Sequence, residues 1–129
     1  MITDNIKVLL LDNVNQAAIN ILTLEGYQVE AYSETLSEDV LIAKIHDIHC
    51  VGIQSKTKLT KNILLKVKKL LVISCFCTNT SQIDLKTATS QKITVFNSSF
   101  GYSRSVAELV IAEIIMLSRY IDNYNIKIH

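Results

Sequence analysis

The sequence predicts a doubly wound α/β domain built on a five-stranded parallel sheet. Three observations carry that expectation. Short β-rich runs alternate with amphipathic helical stretches along the first hundred residues. The first run, residues 7–12 (KVLLLD), is continuously apolar, as a strand covered on both faces has to be. The helical segments between runs are about 8–13 residues long, which suits crossovers between parallel strands. Five strands in this length correspond to the flavodoxin-like arrangement, in which ligands sit beyond the carboxyl ends of the strands.

Each element has its own local signal. After the first strand, Asn13 with Gln16 three residues later resembles a capping box. Ala17, Ala18, Ile21, Leu22 and Leu24 then form a helical stripe, which Gly26 ends as a C-cap glycine. Residues 27–31 read as the second strand. Ser37 caps a helix over 38–46, with Val40, Leu41 and Ile45 inward. Cys50–Ile53 is the third strand. Thr60 caps a helix over 61–68 with Ile63, Leu64 and Val67 apolar, and 70–74 is the fourth strand. Asp84 caps Leu85–Ser90, and 93–96 is the fifth strand. The carboxyl-end loops to watch are therefore 54–58, 75–82 and 97–103.

The last segment has a different character. Ser105 and Glu108 form a second capping box, opening a predicted helix over 106–123. From Val106 to Ile121 its apolar residues cover nearly the whole circumference, so something must pack on all sides of it. Glu108, Glu113 and Arg119 interrupt it, which argues against a membrane span. The expected outcome is homo-oligomerisation through the 106–121 helix.

Composition excludes several function classes. A length of 129 residues is one domain's worth. With 49% hydrophobic and 19% charged residues, enough apolar surface exists to offset the ordering entropy, so disorder is excluded. Lys+Arg 13 against Asp+Glu 12 gives a net charge of +1, with no basic excess to grip nucleic acid. Three cysteines without a signal peptide point to a reduced, cytoplasmic setting rather than a disulfide framework. The three glycines, Gly26, Gly52 and Gly101, cannot assemble a G-x-G-x-x-G or P-loop motif. Proline and tryptophan are absent and Lys strongly outnumbers Arg, as in an AT-rich coding bias.

Three stretches together point to a family. Residues 51–60 (VGIQSKTKLT), 75–84 (CFCTNTSQID) and 96–110 (FNSSFGYSRSVAELV) resemble, in order and spacing, the D-2-hydroxyacid dehydrogenases. Within them the likeness is to the D-3-phosphoglycerate dehydrogenases, and the Cys-Phe-Cys and Arg-Ser-Val-Ala-Glu-Leu runs point to the bacterial serine-pathway members. The resemblance runs from about Ile6 to the end. It implies a substrate-binding domain over 1–102, with 103–129 as a crossover helix into an NAD-binding Rossmann domain that this chain lacks. The family reaction is oxidation of 3-phosphoglycerate to 3-phosphohydroxypyruvate with NAD. The family's catalytic Arg, Glu and His would lie further downstream, so no catalytic residue is assigned here. The expectation is a truncated family member, inactive by itself and not binding NAD by itself.

The resemblance also implies site residues. Gln54, Ser55 and Lys56 stand in the loop that meets the substrate's carboxylate and phosphate. Relatives commonly carry Arg where Gln54 stands, and a second Arg where Lys56 stands. Gln supplies no charge and Lys no planar fork, so a 3-phosphoglycerate-like acid is expected to bind weakly at best. Thr80 matches a Thr that approaches the nicotinamide, with Asn79 in place of a glycine. Asn97 matches an Asn at the interdomain cleft. Cys75 and Cys77 read as buried thiols, and His46, His49 and Cys50 lack a carboxylate to orient the rings, so no metal is expected. A different class, the phosphoacceptor receiver domain, shares the fold and could use Asp12 and Ser74. It fails because Gln54 occupies the phosphoacceptor position. A non-catalytic binding or interaction module remains as the alternative.

Overall fold

The structure is a computed structural model. It describes residues 6–14, 16–77 and 80–97. The predicted helix over 106–123, most of the 97–103 loop and Asn79 lie outside those residues.

The strands are β1 (Lys7–Leu10), β2 (Gln28–Ala31), β3 (Cys50–Ile53), β4 (Val72–Cys75) and β5 (Thr94–Asn97). The helices are α1 (Gln16–Leu24), α2 (Glu38–Ile45), α3 (Lys61–Leu64) and α4 (Leu85–Ser90). All neighbouring strands pair in parallel, in the order β2-β1-β3-β4-β5. This is the flavodoxin-like order, and the connection reverses direction between β1 and β3. Successive side chains on a strand point to opposite faces. Leu9, Leu11, Val51, Ile53, Ile73 and Cys75 therefore meet Leu41, Ile45, Ile63, Leu64 and Ala88 from α2, α3 and α4 on one face. Val8, Leu10, Cys50 and Val72 meet Ala18 and Leu22 of α1 on the other. Gly52 lets the layers close there. A Cβ on it would lie 2.7 Å from both Leu10 Cδ2 and Phe76 Cε2.

The helix ends follow the sequence signals closely. Ser37 and Thr60 accept from Val40 N and Ile63 N, and Asp84 from Thr87 N. Gly26, at φ 95°, closes α1: its N–H donates to Thr23 O, and Tyr27 N–H donates to Leu22 O. That pair of bonds is a Schellman motif. The same motif closes α4, where Lys92 N–H donates to Thr89 O and Ile93 N–H to Ala88 O. Here the left-handed residue is Lys92, at φ 61°.

Four local expectations need correction. Asn13 is not a cap: its φ is 59°, whereas a cap residue is extended so that its side chain can turn back on the helix. Gln16 donates instead to Asn20 Oδ1. Leu24 and Val40 are exposed, because each sits at the solvent edge of its helix while Leu22 and Leu41 take the inward direction. α3 stops at Leu64 rather than residue 68, since the chain must turn to bring buried Leu70 back under the sheet. Lys66 N–H donates to Ile63 O in that turn. Among the described residues, no helix is long and apolar enough to cross a membrane.

Lys92→Gly should stabilise the domain. A non-glycine residue held in the left-handed region costs roughly 1 kcal/mol, which glycine avoids at this exposed position. Urea denaturation should show an unfolding free energy raised by about 0.5–1 kcal/mol, read as a higher midpoint at unchanged slope. A lower midpoint would mean that Lys92 does more than turn the chain.

Candidate functional site

The crevice between β1 and β3, where the sheet reverses direction, is where a doubly wound sheet offers a ligand site. Here it is filled by Asp12. That residue follows β1, adopts φ 63°, and is 7% exposed. Its Oδ2 accepts Gln54 N–H at 3.0 Å and Thr57 N–H at 2.9 Å. Its Oδ1 accepts the Thr57 hydroxyl at 2.6 Å. The Gln54 amide reaches back, donating to the carbonyls of Asp12 and Asn13, both at 3.2 Å. Asp and Asn tolerate the left-handed backbone better than most residues, which is why this pair can make the turn. With its oxygens met by three donors from the loop after β3, Asp12 is committed to holding that loop.

The loop after β3 is fastened to the loop after β4. Leu59 N–H donates to Gln82 O, and Asp84 N–H donates to Leu59 O, forming a single parallel bridge between Leu59 and Ile83. Gln82 Nε2 donates to Gln54 O at 2.8 Å and lies 3.0 Å and 3.3 Å from the sulfurs of Cys75 and Cys77. Between the two loops opens a cleft of about 610 Å³, walled by Ser55, Lys58, Lys61, Cys77, Ser81 and Asp84 among others.

The sequence-predicted residues separate in this frame. Ser55 and Lys56 are exposed at the crest of the loop, and Ser55 lines the cleft. Gln54 is half-buried and serves the loop with both its backbone and its side chain. Thr80 is half-buried, and its carbonyl accepts Ile83 N–H. Asn97 is exposed at the last position of β5, in register with Cys75. Asp12, Thr57 and Gln82 are the organising residues that the sequence reading did not assign to the site. Their partners lie across the fold, so no local pattern marks them.

The cysteines and histidines differ sharply in setting. Burial pushes Cys50 up to about 12, and burial with the Cys77 contact pushes Cys75 up to about 12. Both are neutral thiols at physiological pH. His49 lies at the opposite end of the sheet, where its Nδ1 accepts Lys7 N–H. Burial lowers its pKa, and neighbouring Lys69 adds to that effect. Asp47 beside it is lowered to about 2, first by Lys7 and then by Lys69. His46 is exposed and Cys50 is buried inside the sheet, so the three residues do not converge. Among the described residues no three His, Cys, Asp or Glu side chains group as metal ligands.

Residues 8–123 match the family model of the D-isomer specific 2-hydroxyacid dehydrogenase catalytic domain. D-3-phosphoglycerate dehydrogenase 1 of Saccharomyces cerevisiae is 56% identical over 98% of this chain, which spans 27% of that protein. The D-3-phosphoglycerate dehydrogenase of Dictyostelium discoideum is 50% identical over 98% of the chain and 31% of its own length. That of Escherichia coli is 41% identical over the same shares. The eukaryotic pair thus exceeds this bacterial enzyme in likeness, although the sequence motifs pointed to bacterial members. Among solved structures, a Pyrococcus horikoshii protein superposes with TM-score 0.68 at 30% identity, over 92% of this chain and 35% of its own. An NAD+-bound 3-phosphoglycerate dehydrogenase of Entamoeba histolytica shares the fold, with TM-score 0.64 at 22% identity over 72% and 32%.

Asp12→Ala should cost about 2–4 kcal/mol in urea denaturation, because it leaves two amides and a hydroxyl without their acceptor in a buried setting. Thr57→Val should cost roughly 1–2 kcal/mol, since it removes only the hydroxyl contact to a charged group. Losses of equal size for the two variants would mean that the carboxylate does not hold both amides.

Proposed function

Because this chain belongs to the D-isomer specific 2-hydroxyacid dehydrogenase family, we propose that it supplies the substrate side of a D-3-phosphoglycerate dehydrogenase. The observation that carries this reading is the likeness to curated enzymes of that name across nearly the whole chain. The chain spans under a third of those relatives, so the activity is a property of the longer protein. The reaction is oxidation of the 2-hydroxyl of 3-phosphoglycerate to the ketone of 3-phosphohydroxypyruvate, with NAD as hydride acceptor.

In this reading the acid's negative groups meet Ser55, Lys56 and the loop amides, with Asn97 contributing from the end of β5. Gln54 holds the loop against the Asp12 and Asn13 carbonyls. Lys56 acts as a single point charge rather than a two-pronged donor, so affinity is modest. Thr80 edges the nicotinamide side. The described residues do not fit an NAD site by themselves. A dinucleotide diphosphate needs a glycine loop at a helix N-terminus, whereas Gly26 ends a helix and Gly52 is packed inside the sheet. No hydride step is therefore assigned to these side chains. Self-association through the apolar 106–121 segment, in the cytoplasm, completes the reading.

The test is an NMR titration with 3-phosphoglycerate. Amide shifts should concentrate at Ser55, Lys56 and Asn97, in the millimolar range. Gln54→Arg should tighten binding roughly ten- to a hundredfold, as a charge-assisted hydrogen bond of about 1.5–3 kcal/mol would. Shifts confined to other loops, or an Arg variant no tighter than the wild type, would contradict the reading.

A further inference from the structure

We propose that Cys75 and Cys77 form a reversible intramolecular disulfide, making the β4 end of the cleft a redox modification site. The two sulfurs already lie 3.2 Å apart. Closure by about 1 Å brings them to the bonded distance. Cys75 is the last residue of β4 and Cys77 lies two residues beyond it, both packed toward the α2–α4 face. Cys50, the third cysteine, packs on the opposite face of the sheet and does not compete.

The two thiols divide the chemistry. Cys77 is half-buried and lines the cleft, so a small disulfide can reach it. Cys75 is fully buried, so a solvent-borne reagent meets Cys77 first. With glutathione disulfide as oxidant, the Cys77 thiolate attacks one glutathione sulfur. The glutathione S–S bond breaks, one glutathione leaves as a thiolate, and a mixed disulfide forms on Cys77. The buried Cys75 thiol then gives up its proton as its sulfur attacks Cys77 Sγ and expels the second glutathione, which takes that proton. Two protein thiols are oxidised to one disulfide, one glutathione disulfide is reduced to two thiols, and the two protons pass to the departing glutathiones.

Gln82 ties this event to the neighbouring loop. Its amide nitrogen faces both sulfurs and also donates to Gln54 O, the residue that fastens the β3 loop to Asp12. Drawing the sulfurs together moves acceptors on which that amide depends. Oxidation should therefore register at the amides of residues 54–58 as well as at the cysteines.

The experiment is incubation of the full chain with excess glutathione disulfide, acid quench, intact mass and peptide mapping. The expected product has lost two hydrogens, retains no glutathione, carries a Cys75–Cys77 link, keeps Cys50 free to alkylate after denaturation, and reverts with dithiothreitol. Cys75→Ser should instead retain one glutathione on Cys77, and Cys50→Ser should behave as the wild type. A wild-type chain that keeps a stable glutathione on Cys77, links Cys50 instead, or stays fully reduced would overturn the proposal. The wild-type outcome decides the matter even where a variant fails to fold.

Discussion

One carboxylate holds the carboxyl end of this sheet together. Asp12 stands where the sheet reverses direction, the place where doubly wound folds leave a crevice. Nothing in β1 and β3 themselves fixes the loops that leave them. The pairing of β1 with β3 ends with Leu11 N–H donating to Gly52 O, and beyond that point side chains join the two loops. A carboxylate accepts several donors at once, and bonds to a charged acceptor exceed ordinary ones in strength. Asp12 uses this to order two amides and a hydroxyl in a buried setting.

The rest of the cleft is built outward from that point. Gln54 returns two bonds to the β1 turn, and Gln82 picks up the Gln54 carbonyl and joins the β4 loop to it. The Leu59–Ile83 bridge fixes the spacing of the two loops. Ser55 and Lys56 thus stand exposed on a backbone whose conformation is set from below. Rigid support under an exposed polar crest is what a binding loop needs, because little order has to be gained when a ligand arrives. In the proposed reading, what this crest does is recognise an anion.

Much of the architecture was legible in the sequence, and the reasons are local. Buried parallel strands must be apolar on both faces, so KVLLLD, CVGI and VISC stand out from their surroundings. Ser37, Thr60, Asp84 and Gly26 announce helix ends through bonds that span only a few residues. The errors arose where distant contacts decided the outcome. Asn13 resembles a cap by spacing, yet its backbone is turned to present a carbonyl to Gln54, 41 residues away. Asp12 stands out in the sequence only as a residue that a receiver domain could use, yet its oxygens are filled by the loop that carries Thr57, 45 residues away. Gln54 reads from sequence as part of the loop after the third strand, but its side-chain partners lie in the turn after β1. Long-range polar pairing leaves no periodicity to read.

The central claim is that the Asp12 carboxylate holds the backbone of the loop after β3. Amide hydrogen exchange at Gln54 and Thr57 measures this directly. Both N–H groups donate to Asp12 Oδ2, so both should exchange with the slow core amides of β3 and β4 rather than with exposed loop amides such as that of Lys58. Exchange of Gln54 and Thr57 at the rate of Lys58 would contradict the account.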